Sequence, residues 1–193
     1  PQLGDVTGVA NVSALSGGAR AVSKIVGHTN GKLRTMFALT SANELFGWGS
    51  NTNGQLGLGN IITYKEPTFI TNGVYDVVVG GSGNNTTAAV LLSDGLYTAG
   101  YNEFGVCGTG VSTLNYLNFT KVLLPNNIGR GDIKQFKLNN VGMQSDLGQS
   151  AHTLQILLTS GKLLTCGYDS ARFSVLGVDA VPQSIYYPSE IKL

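Results

Sequence analysis

Few residues in this 193-residue chain can do acid–base, nucleophilic or metal chemistry, and none of them stands in a catalytic pattern. General acid–base work needs a titratable group held against a partner. The two histidines, His28 and His152, lie far apart in polar segments without partner motifs, so surface or turn positions are expected for both. Cys107 and Cys166 belong to no CxxC pair and no Cys/His cluster, which predicts small buried hydrophobes, not a metal or disulfide site. The eleven carboxylates fall singly. A sugar-cleaving pair would have to come from Asp94, Glu103, Asp169 and Asp179, whose spacing does not converge. The expectation is a protein with no catalytic residue, no metal and no cofactor.

One stretch does carry a pattern: LFGWGSNTNGQLGLGN, residues 45–60, where glycines thread through neutral polar residues. Glycines allow backbone N–H groups to approach a phosphate, but an anion loop also opens a helix. Asn60-Ile61-Ile62-Thr63-Tyr64 follows instead, which is β-leaning, and Pro67 lies close behind. Trp48 could be a sugar-stacking platform. A core position between packed sheets is the favoured expectation for it.

The elements that place this stretch emerge from self-comparison. FALTSANELFGWGSNTNGQLGLG, AVLLSDGLYTAGYNEFGVCGTG and QILLTSGKLLTCGYDSARFSVLG each read as strand, tight turn, strand, polar corner and closing glycine. Ser93-Asp94-Gly95 and Ser160-Gly161 supply turn residues that tolerate positive φ. The marker glycines Gly49, Gly100 and Gly167 are 51 and then 67 residues apart. The longer second spacing is assigned to an inserted loop over 139–152.

These residues resemble the repeats of the regulator of chromosome condensation family, whose repeat forms one four-stranded blade of a β-propeller. The resemblance is carried by Trp48-Gly49-Ser50-Asn51, Gly54-Gln55-Leu56-Gly57-Leu58-Gly59 and Pro67 in the first copy. It weakens to Ala99-Gly100-Tyr101-Asn102 with Gly105-Val106-Cys107-Gly108 in the second, and to Cys166-Gly167-Tyr168-Asp169 with Leu176-Gly177 in the third. It implies an all-β fold of antiparallel propeller blades, either an arc of three to four or part of a larger ring. Gln2-Leu3-Gly4-Asp5 echoes Gln55-Leu56-Gly57, so residues 1–20 are expected to end a preceding blade. Repeats are then expected over 21–73, 74–131 and 132–193. Blades bury their faces on neighbours, so upstream repeats or other subunits are expected to cover the outer two.

Composition narrows the partners. A net charge of +1 gives no basic footprint for nucleic acid. Apolar runs fall short of a membrane span and the opening residues show no basic-plus-apolar pattern, so no membrane partner is expected. Charged residues make up 12%, against roughly a quarter in ordinary soluble domains, so amides and hydroxyls must wet the surface. Such a surface is associated with virion appendages and secreted surface proteins, and an extracellular or virion setting is expected on that basis. The function expected is a non-enzymatic structural or binding module with a protein or glycan partner. Two alternatives are a nucleotide-exchange or chromatin-associated scaffold, implied by the resemblance, and a carbohydrate-binding or carbohydrate-active propeller. Loops carry binding, so the contact residues expected are Asn139, Asn140, Met143, Gln144, Asp146 and Gln149 in the insertion, with Tyr101 and Tyr168 at the corners.

Overall fold

The computed structural model describes residues 21–30, 33–82, 85–125, 128–141, 151–169 and 183–191. They form three antiparallel sheets of four strands each. Sheet 1 holds β1 (Val22–Asn30), β2 (Leu33–Thr40), β3 (Leu45–Gly49) and β4 (Tyr64–Thr71). Sheet 2 holds β5 (Asp76–Ser82), β6 (Asn85–Leu92), β7 (Gly95–Tyr101) and β8 (Asn115–Lys121). Sheet 3 holds β9 (Ile133–Val141), β10 (Ala151–Leu158), β11 (Leu163–Asp169) and β12 (Gln183–Glu190). In each the strands lie in chain order, and a 3-10 turn, Arg130–Asp132, leads into β9. There is no α-helix among the described residues.

The sheets stack face to face. β6 shows why: its run Thr86 to Leu91 is buried without a break, because both faces are covered. Ala88 and Val90 join Phe37, Leu39, Leu45 and Leu56 of sheet 1 in one core. Ala89 and Leu91 join Phe136, Leu154, Ile156 and Leu164 of sheet 3 in the other. Side chains alternate along a strand, so one apolar run feeds two cores. Strand β5 packs between β1 and β9, which makes β1, β5 and β9 the inner strands of an arc and β4, β8 and β12 the outer ones.

Three expectations need correction. Residues 139–152 do not form one loop: Asn139 to Val141 pair with Ala151 to Thr153 in the β9–β10 ladder. The polar text there resembles a loop, but strand pairing overrides weak propensity. His28 lies in β1 and His152 in β10, where it is 2% exposed, so neither is a turn residue and His152 is no surface residue. Trp48, expected in a core, is half-buried in β3 opposite Met36. Residues 1–20, Met143, Gln144, Asp146 and Gln149 lie outside the described residues.

Candidate functional site

Sheets 1 and 2 each carry a glycine-rich corner after the third strand, β3 and β7 respectively. Asn51 and Asn102 build these corners. The Asn51 Oδ1 accepts from the Leu56 N–H at 2.9 Å and its Nδ2 donates to the Asn60 carbonyl at 2.8 Å. Asn102 repeats the pair, accepting from the Cys107 N–H at 2.9 Å and donating to the Val111 carbonyl at 3.0 Å. Both side chains are fully buried. An amide suits the place because it donates and accepts at once.

Each corner then reaches over the next sheet. Gly105 sits where an added Cβ would lie 2.5 Å from the Tyr186 ring, at φ +78°, so only glycine lets the second corner lie flat on β12. That contact brings Phe104 to the junction of sheets 2 and 3. Its ring lies 4.7 Å from that of Tyr168, at a tilt of 32°, and 6.4 Å from that of Tyr101, edge-on. Tyr101 in turn stacks on His152, 6.3 Å and 12° apart. Four aromatic rings from two sheets therefore converge on one rim.

The electrostatics of this cluster follow from burial. Burial, with a smaller contribution from nearby His28, lowers the pKa of His152 to about 4, so the ring is neutral at ordinary pH. Neither ring nitrogen has a hydrogen-bond partner of good geometry among the described residues, although the Gly80 backbone nearby favours the charged form slightly. The Tyr101 hydroxyl donates to the Glu103 Oε2, and burial together with that bond pushes its pKa up. Glu103 itself is exposed.

The expected contact residues divide accordingly. Tyr101 and Tyr168 are brought together through Phe104, with Tyr101 as the buried floor and Tyr168 half-exposed beside it. Asn140 is the backbone pairing partner of His152 in the β9–β10 ladder. Asn139 turns elsewhere, donating to the Gln155 Oε1 at 2.6 Å. Phe104 and Glu103 were not expected, and the only available signal was their place in the corner beside Tyr101. Of the carboxylates, Asp94 lies in the β6–β7 turn and Glu103 after β7, so a seven-residue strand, roughly 20 Å long, separates them. No group of three His, Cys, Asp or Glu that could hold a metal occurs among the described residues.

Comparison with known proteins gives the geometry its family. Residues 43–90 match the model of the Regulator of chromosome condensation (RCC1) repeat. The chain belongs to the RCC1-repeat family of β-propeller proteins. A bovine relative, the secretion-regulating guanine nucleotide exchange factor, is 31% identical over 164 residues, covering 81% of this chain and 30% of the relative. The Arabidopsis thaliana ultraviolet-B receptor UVR8 is 27% identical over 162 residues, 81% of this chain and 33% of the receptor. The chain thus spans about a third of each. Among solved structures, Prp20p from Saccharomyces cerevisiae superposes with a TM-score of 0.61 at 17% identity, over 88% of this chain and 38% of that one. Human WBSCR16 gives 0.61 at 18% identity, over 92% and 42%. At such identities these two likenesses speak for the fold. The Asn51 corner lies within the matched residues 43–90, and the three sheets are blades.

Proposed function

We propose that this RCC1-repeat chain is a non-enzymatic binding module whose partner is a protein, docked on the corner rim where blades 2 and 3 meet. The observation that carries it is the convergence of Tyr101, Phe104, Tyr168 and His152 there, at the base of the strands that flank residues 142–150. Half-exposed aromatic rings on a preformed floor give large contact area at low entropic cost. Relatives support a protein partner: Prp20p is described with its binding to Gsp1p and histones, and was also solved with Kap60 bound to it. A virion or cell-surface setting is retained within the proposal on the low charged fraction of 12% alone.

The test replaces residues 142–150 with a short Gly-Ser turn, leaving β9 and β10 whole, and separately changes Phe104→Ser. Affinity for a co-purified partner should fall by about tenfold or more in both variants while melting temperature holds. Unchanged affinity in both would refute the placement. A second function, nucleotide exchange, is favoured by the 31% identity to the bovine exchange factor. It predicts accelerated GDP release from a small GTPase, measured by loss of a fluorescent nucleotide.

A further inference from the structure

We infer that the rim cluster is a receptor for a cationic side chain, an arginine or lysine carried by the protein partner. The inference rests on the rim being the binding surface, and it adds the chemistry of what binds.

Asp76, Asp94 and Glu190 are each paired with a lysine, Lys24, Lys121 and Lys162 respectively. Glu103 has no cationic partner among the described residues, and its carboxylate accepts only from the Tyr101 hydroxyl. Glu66 and Asp132 also lack a lysine partner among the described residues, and what sets Glu103 apart is its place beside the rim aromatics. The Tyr101 hydroxyl stays a donor, because burial raises its pKa and keeps it protonated. The carboxylate is held by that bond and exposed.

Beside it stand π faces. Phe104 and Tyr168 are half-exposed, and Tyr186, which packs against Gly105, is 37% exposed. The face of an aromatic ring is its negative pole, and a guanidinium stacks on it while hydrogen-bonding a carboxylate at its edge. His152, stacked under Tyr101, is buried and neutral and so does not oppose a cation. One carboxylate alone would not retain a small ion in water. Together with the aromatic area it suits a side chain delivered by a larger surface.

The experiment uses the full chain and calorimetric titration with three decapeptides of alternating serine and a test residue: arginine, lysine or citrulline. Arginine should bind best, lysine less well, and neutral citrulline should show no saturable binding. Glu103→Gln keeps the acceptor for Tyr101 while removing the charge, and Phe104→Leu keeps apolar bulk while removing the π face. Each should weaken arginine-peptide binding by about tenfold. Equal binding of citrulline and arginine, no arginine binding at millimolar peptide, or equal affinity in both variants would overturn the inference. If Phe104→Ser and the 142–150 replacement still abolish partner binding while Glu103→Gln has no effect, the rim stands and the cation receptor falls. If neither of the first two affects the partner, the rim itself is wrong.

Discussion

The backbone N–H of Gly59 donates to the carbonyl of Leu117 across 2.8 Å, joining the corner of one blade to the outermost strand of the next. Gly110 repeats the bond to Tyr186, also at 2.8 Å, one blade further on. The blades are therefore held twice over, by apolar faces inside and by corner-to-strand hydrogen bonds at the rim. The second link positions the candidate site, because the corner that grips β12 is the one that carries Glu103 and Phe104.

Asn102 is the pin of that corner, and Asn102→Asp should loosen it. The carboxylate can still accept from the Cys107 N–H but cannot donate to the Val111 carbonyl, and it buries a charge. A cost of about 2–4 kcal/mol is expected, read as a melting-point drop of roughly 10 °C. Measured against the parent at each pH, the deficit should shrink as acid protonates the carboxyl and restores a donor. A deficit that does not change with pH would mean the lost donor is not the cause.

Gly100 and Gly73 both have positive φ, at +110° and +72°, but differ in space. A Cβ at Gly100 would lie 2.3 Å from the Thr86 carbonyl oxygen, whereas nothing lies within 4 Å of one at Gly73. Gly73→Ala should cost about 1 kcal/mol, the strain of a left-handed alanine. Gly100→Ala should cost several times that, because backbone must move as well. Equal losses in urea denaturation would show that the close approach carries no weight.

The marker glycines show how much was legible. Gly49, Gly100 and Gly167 pair with Thr35, Thr87 and Thr153 at equivalent places in the three blades, so the period alone located the second and third strands of each. The corner asparagines were legible too, standing two residues after Gly49 and Gly100, with Asp169 at the same step after Gly167. Burial was not. His152 sits among polar neighbours in sequence, and its environment comes from Tyr101, 51 residues earlier on another blade. Contacts between blades have no local signature, which is also why Phe104 went unnoticed.

Cys107 and Cys166 should be unreactive in the folded protein. Both are fully buried, and burial raises the Cys107 thiol to about 12 and Cys166 further still, helped by Cys107 close by. At pH 8 the Cys107 thiolate fraction is then roughly one part in ten thousand. Ellman's reagent should label neither in native buffer and both in guanidinium. Rapid native labelling of either would contradict the packing of blade 2 on blade 3.

His152 makes stability depend on pH in a definite direction. Its folded pKa of about 4 lies below the 6.5 of a free imidazole, so between those values the unfolded chain binds a proton that the folded chain refuses. Stability is then fully present above about pH 6.5 and falls as pH drops towards 4, by about 3 kcal/mol in all. His28, whose pKa is lowered by its own partial burial, adds to the loss in the same direction. Tyr101, the other titratable group against the ring, stays protonated throughout this window and contributes nothing. Replacing the imidazole by a ring that cannot titrate, His152→Phe, should flatten most of the slope between pH 4 and 6.5 while keeping the stack on Tyr101. Urea melts across that range on both proteins measure it, and parallel slopes would show that His152 is not the group refusing the proton.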